Sequence, residues 1–186
     1  MVPRRHDRLI LEVEGGNIST PSDILSIVEH IKNSKRREVL VVVTGSGNLP
    51  KQITSVASQS SSNQMVFPEE DEILALEHLL GAQLITAALK SQKINATYID
   101  PFQYTPIRTM GNSGSPQISE TETVREVKNT VGSKLTNNIV VMCGLVGKNE
   151  QGKITIIRDD REKIFTILKK ALKTPLHKKL SYSNAS

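Results

Sequence analysis

The chain has 186 residues, 37% of them hydrophobic, which is close to the commonest domain size and enough for one substantial core. Its formal charge of +5 equals the excess between Arg158 and Leu180, where eight Lys or Arg stand against three acids, so the basic character reads as a solvated C-terminal segment. Three Phe, three Tyr and no Trp leave few surfaces for base stacking, and the single cysteine excludes an intramolecular disulfide.

The first expected element is a short apolar strand from Arg8 to Val13, closed by Gly15 and Gly16. Thr20-Pro21-Ser22-Asp23 then supplies an N-cap, a first-turn proline and an early acid, which start a helix. Ile24, Ile27, Val28 and Ile31 recur at helical spacing, and the basic residues from Lys32 to Arg37 suit a helix C-terminus. Val39 to Val43 is almost continuously apolar and β-branched, as expected of a strand covered on both faces of a parallel sheet. Ser55 to Gln64 is serine-rich and aperiodic and reads as a flexible loop.

Pro68 with Glu69, Glu70 and Asp71 opens a long helix reaching about Lys90, with Ile73, Leu76, Leu80, Leu84 and Ala87 as its apolar stripe. Strands follow at Ile94 to Ile99 and Ile139 to Met142, separated by a helix from Thr121 to Leu135. Lys153 to Ile157 is a short strand reached from Gly147 through a hairpin around Asn149 to Gly152. Arg161 to Lys173 closes as a helix with Ile164, Ile167, Leu168 and Leu172 inward. One domain over residues 9–173 is expected, between a basic arm at 1–8 and a basic, polar tail at 174–186.

This alternation predicts an α/β fold, three αβα layers around a mainly parallel sheet. Such sheets take ligands at the carboxyl ends of their strands, here the loops Glu14 to Ser19, Thr44 to Asn48, Asp100 to Ser115 and Cys143 to Lys148. No run of about 18 apolar residues and no secretory leader is seen, so a cytoplasmic protein without a membrane anchor is expected.

Five short motifs occur in order, four at or beside these loops and one within the long helix. They are Val13-Glu14-Gly15-Gly16-Asn17-Ile18, Val41-Val42-Val43-Thr44-Gly45-Ser46-Gly47-Asn48, Glu77-His78-Leu79-Leu80-Gly81-Ala82, Thr109-Met110-Gly111 leading to Ile118, and Gly144-Leu145-Val146-Gly147 leading to Gly152-Lys153-Ile154-Thr155. In order and spacing they resemble the N-terminal lobe of aspartokinase, in the amino-acid kinase family, whose fold is carbamate-kinase-like. The resemblance implies that the chain is the substrate lobe without the nucleotide-binding half. It also implies substrate-binding positions at Thr44, Gly45 and Arg158 and phosphate-binding positions at Gly15, Gly16 and Gly47. ATP and Mg²⁺ are implied if any kinase activity remains, and aspartate is the implied small-molecule ligand.

Departures from the pattern are equally specific. Val13 stands where the family has the lysine of Lys-Phe-Gly-Gly, and an aliphatic side chain cannot stabilise a transferring phosphoryl group. The family glutamate falls on His78, with Glu77 one residue earlier; neither carries a firm catalytic role, and His78 reads as a partly buried polar residue. Arg158-Asp159-Asp160-Arg161-Glu162 replaces Gly-Arg-Gly-Gly-Ser-Asp, so two acids stand where small residues let the backbone approach phosphates. Asp159-Asp160 reads as a helix N-terminus rather than a Mg²⁺ site, and no metal-ligand spacing is present.

The expectation is thus an aspartokinase-like protein impaired in catalysis, a pseudoenzyme or assembly subunit. It would form a homo-oligomer, through the helix from Arg161 to Lys173, or associate with a complete aspartokinase subunit. A functional aspartate kinase and a basic nucleic-acid-binding module are the alternatives.

Overall fold

The computed structural model describes residues 8–45, 47–48, 52, 70–111 and 116–180; the Ser55 to Gln64 loop, Pro68 and Glu69 lie outside them. Strand β1 (Arg8–Glu14) leads through a 3-10 turn (Gly15–Asn17) to helix α1 (Pro21–Asn33) and strand β2 (Glu38–Thr44). Helix α2 (Glu70–Ser91) precedes β3 (Ala96–Ile99), and a small pair, β4 (Thr109–Met110) and β5 (Gln117–Ile118), interrupts the return. Helix α3 (Glu120–Glu126) widens into a π turn (Val127–Gly132) before β6 (Ile139–Cys143). The hairpin β7 (Val146–Lys148) and β8 (Ile154–Ile156), helix α4 (Arg161–Leu172) and strand β9 (His177–Leu180) complete the order.

The main sheet runs β3-β6-β2-β1-β9, and all its pairs are parallel. Alternate residues of each strand serve opposite faces. Leu9, Leu11, Val13, Val39, Val41, Val43, Val141 and Cys143 join a core with α1 and α2. Ile10, Leu40, Val42, Val140 and Met142 join a second core with α3, its π turn and α4. These are the three expected layers, and the local signals explain them. At the start of α1, Asp23 N donates to Thr20 Oγ1 (3.3 Å) while Thr20 N donates to Asp23 Oδ2 (2.8 Å), a reciprocal capping box behind Pro21. In the β7–β8 hairpin, Asn149 Oδ1 accepts from the backbone N–H groups of Gln151 (3.0 Å) and Lys153 (2.9 Å).

Three expectations are corrected. The face of α2 that meets the core is Ala75, Leu79, Ala82, Ile85 and Leu89; the expected stripe leans outward, with Leu76 40% exposed and Ala87 exposed. From Ile73 to Leu89 the helix carries apolar residues all round, so periodicity does not distinguish its faces, and small Ala75 and Ala82 let it lie close to the sheet. By length and composition Asp71–Ser91 is apolar enough to cross a membrane, yet half of that window is buried here against the rest of the chain.

The expected polar tail supplies β9, which pairs with β1 in the register Ile10↔His177 and Glu12↔Lys179. The expected oligomer contact on α4 is also withdrawn: Ile164, Ile167 and Leu168 are fully buried in the second core and offer nothing to a partner.

Candidate functional site

At the carboxyl ends of β1 and β2 the two turns pack against each other. Gly45 adopts φ +141°, and a Cβ added there would lie 3.3 Å from the Gly15 nitrogen. A Cβ at Gly47 would lie 2.3 Å from the Ile18 carbonyl oxygen and 2.5 Å from that of Gly15. Gly15, Gly45 and Gly47 are therefore brought together, and the contact between turns by itself accounts for the two glycines after β2.

Val13 points the other way, fully buried in the α1–α2 core. The position of the family lysine is thus a sealed apolar site. The opposite face of β1 carries Glu12 and Glu14, and here the structure holds what the sequence reading missed. Glu12 is 3% exposed. Its Oε1 accepts from Arg161 Nε (2.5 Å) and Thr44 Oγ1 (3.4 Å), and its Oε2 lies 3.0 Å from His177 Nε2.

Glu14 Oε1 accepts from Arg161 (2.5 Å) and from Lys179 Nζ (2.8 Å). The His177 ring stacks on Phe165 with centroids 4.2 Å apart, which fixes the imidazole against α4. Arg161, in the first turn of α4, therefore bridges two β1 carboxylates, while β9 supplies Lys179 and His177. The bond from Lys179, and then that from Arg161, holds the Glu14 carboxyl below the usual carboxylate range. Burial works against the Arg161 charge, and the bonds to Glu14 and Glu12 outweigh it and raise its pKa.

A signal for this network existed in Glu12-Val13-Glu14: two acids on one face of a strand that a parallel sheet buries must find cations. Their partners are about 150 and 165 residues away, beyond any sequence pattern.

The other expected residues fall elsewhere. Arg158 is exposed and bonds Asp71 Oδ1 at 3.1 Å, while Asp71 Oδ2 accepts from Ile156 N at 3.0 Å, so the arginine belongs to the junction of β8 and α2. It lines a cleft of about 280 Å³ with Gln117, Ile156, Asp159 and Asp160. Thr44 and Arg158 thus enter different hydrogen-bond networks, one closed on Glu12 and one on Asp71.

Asp160 is the N-cap residue of α4, but its side chain caps nothing and lies 3.6 Å from Lys163 Nζ. Glu77 and His78 are both buried on α2. Burial pushes the His78 imidazole down to about 4, and its Nδ1 has no hydrogen-bond partner. A base of that strength is neutral at physiological pH and weak. Burial likewise raises the pKa of the Cys143 thiol, which leaves it unreactive. Among the described residues no group of three His, Cys, Asp or Glu is placed to hold a metal ion.

The sequence profile of the amino acid kinase family matches residues 10–168. The chain belongs to the amino acid kinase family. No curated protein sequence matches it. Among solved structures, aspartokinase III from E. coli in complex with aspartate and ADP superposes with a TM-score of 0.73 at 12% identity, covering 92% of this chain and 48% of that one. The same enzyme with lysine and aspartate gives 0.73 at 13% identity, with 93% and 49% covered. Aspartate kinase from Synechocystis gives 0.61 at 20% identity, with 94% and 28% covered. These likenesses establish a shared fold, and the chain spans about half the length of the E. coli enzyme.

Val13 and the Glu12–Arg161–Glu14–Lys179 cluster stand at the carboxyl end of β1. Two carboxylates stand at the end of β1, and Arg161 and Lys179 are paired with them.

Proposed function

We propose that this chain is a member of the amino acid kinase family that does not transfer phosphate, and that it acts by binding a small amino dicarboxylate such as aspartate and by assembly. The observation that carries the reading is the closed charge cluster of Glu12, Glu14, Arg161 and Lys179 beside the buried Val13. Phosphoryl transfer needs uncompensated positive groups aimed at the transferring oxygens, and at the end of β1 the two cations, Arg161 and Lys179, are already paired with Glu12 and Glu14.

Arg158, half-exposed beside its cleft, is the proposed ligand for a substrate carboxylate. The aspartate bound in the E. coli aspartokinase III structures favours that ligand class. Assembly, as a homo-oligomer or with a complete aspartokinase subunit, falls to the outward face of α2 around Leu76; light scattering that returns a monomer both alone and with such a subunit rejects it.

The test is a coupled assay for aspartate-dependent ADP release with ATP and Mg²⁺, run beside calorimetric titration of aspartate. Expected are no turnover above background and aspartate binding that Arg158→Ala abolishes. Turnover near about 1 per second, the low end for kinases, overturns the first half and favours a working aspartate kinase. Binding unchanged in Arg158→Ala overturns the second.

A further inference from the structure

The amino end of the sheet, opposite the candidate site, is built differently. The connection from α1 to β2 and that from α2 to β3 lie together there, joined by Lys32 Nζ donating to Gln92 Oε1 at 2.9 Å. Between them they carry Lys32, Lys35, Arg36, Arg37, Lys90 and Lys93, all exposed except the half-buried Arg36. No Asp or Glu occurs from His30 to Arg37 or from His78 to Asn95. The next acid, Glu38, is buried and bonded to Arg8 at 2.6 Å. Lys35, Arg37, Lys90 and Lys93 make no ion pair among the described residues.

Compensation of helix dipoles explains part of this. Lys32 and Lys90 lie in the last turns of α1 and α2, but the dipole's reach ends within that turn. Lys35, Arg36, Arg37 and Lys93 lie beyond it.

A second observation is independent of charge. Lys35 and Lys93 hold φ of 52° and 59°, the left-handed conformation that glycine adopts freely and other residues adopt at a cost. At both helix exits the chain keeps a lysine where glycine would relieve the backbone. Both lysines thus place their charge on the rim at positions of unfavourable backbone conformation.

We propose that this rim docks the phosphate backbone of duplex nucleic acid without sequence preference. The two segments contain no aromatic residue to stack on unpaired bases, which disfavours a single strand. They also contain none of the large exposed apolar residues, Leu25, Leu76, Phe102 and Met110, that would anchor a membrane surface. Regularly spaced phosphates are the polyanion that Lys35, Arg37, Lys90 and Lys93, without ion pairs on an apolar-free rim, recognise, in a protein of pI about 9.4. The surface lies away from the carboxyl ends of the strands, so the proposal is independent of whether the chain transfers phosphate.

The test is fluorescence anisotropy of the full chain with a labelled mixed-sequence duplex of about 25 base pairs, titrated with salt, since each neutralised phosphate contributes about −0.9 to the slope of log K against log salt. Four contacts give a slope near about −3.6. The variant is Lys35→Gly/Lys93→Gly, which removes two charges without backbone strain; it is expected to reduce the slope by about 2 and weaken binding at least about tenfold at low salt. Lys163→Gln/Lys178→Gln, the same charge change outside the rim, is the control and is expected to bind nearly as wild type.

Equal loss in the control, an unchanged rim variant, or absence of duplex binding at low salt each overturns the proposal. So does tighter binding to vesicles containing phosphatidylserine than to the duplex, or to a single strand of the same sequence.

Discussion

The carboxyl end of β1 and the helix exits that lead into β2 and β3 handle positive charge in opposite ways. At the carboxyl end, Arg161 and Lys179 close on Glu12 and Glu14, Arg158 on Asp71, and Lys163 approaches Asp160. At the amino end, Lys35, Arg37, Lys90 and Lys93 make no ion pair among the described residues. A charge count along the chain places the whole +5 excess between Arg158 and Leu180. The fold changes that picture, because Arg158, Arg161, Lys163, Lys170 and Lys179 find acids within the chain, while a segment that is neutral on balance presents further cations without an ion pair. Available charge is a property of pairing in three dimensions.

The sharpest way to break the comparison is to remove the cation that closes the carboxyl end. Arg161→Ala leaves Glu12, 3% exposed, without its guanidinium partner. Removing one member of a buried pair typically costs about 3–5 kcal/mol. Arg161 is a third exposed and Thr44 and His177 still reach Glu12, so the lower end of that range is expected. Chemical denaturation should show a loss of that size, and Arg161→Lys should recover part of it, since an ammonium cannot span both carboxylates as the guanidinium does. A loss below about 1 kcal/mol would mean that water reaches Glu12 and that the cluster is an ordinary surface network.

A somewhat smaller effect is expected from His78, whose buried ring sits on the α2 side of the sheet. Its pKa is lowered from the ordinary 6.5 to about 4 by burial. Between those values the unfolded chain binds a proton that the folded chain does not, so stability is flat above about pH 6.5 and falls as pH drops toward 4. A shift of this size corresponds to roughly 3 kcal/mol over the window, an order-of-magnitude figure. His78→Leu removes the titrating group and a nitrogen without a hydrogen bond. The difference in unfolding free energy between wild type and variant should therefore shrink or change sign as pH is raised from 4 to 7. A pH-independent difference would show that His78 is hydrated in solution.

How much of this was legible before the structure depends on the range of the forces involved. The strands from Leu9 to Val13 and Val39 to Val43 were legible because a doubly covered parallel strand is apolar at every step, and Thr20-Pro21-Ser22-Asp23 because a capping box is complete within four residues. The buried face of α2 was not, since a helix apolar on all sides carries no phase. Strand β9 was hidden because His177-Lys178-Lys179-Leu180 is short and polar, and what fixes it is pairing with β1, the contact of His177 with Glu12 and the salt bridge from Lys179 to Glu14. The family motifs located the turns Gly15–Asn17 and Thr44–Gly47, yet the acid–base partners that change the chemistry there come from opposite ends of the chain.

The smallest effect addresses the amino end. If Lys35 and Lys93 hold left-handed backbone for the sake of charge, each should be a site where glycine stabilises the fold, by about 1 kcal/mol. Lys173, which ends α4 at φ 53°, should behave in the same way, and it lines a cleft with Arg8 and Lys128. Thermal unfolding of the three single variants should show modest rises in Tm that add, because the three turns follow different helices and share no partner. Lys35→Gly and Lys93→Gly should gain stability while losing polyanion binding, the opposing pair of changes expected where a surface is maintained for a ligand at the expense of the fold. If instead they destabilise, the lysine side chains contribute contacts that favour folding, the strain argument fails, and the contrast between the two ends reduces to one of counted charges.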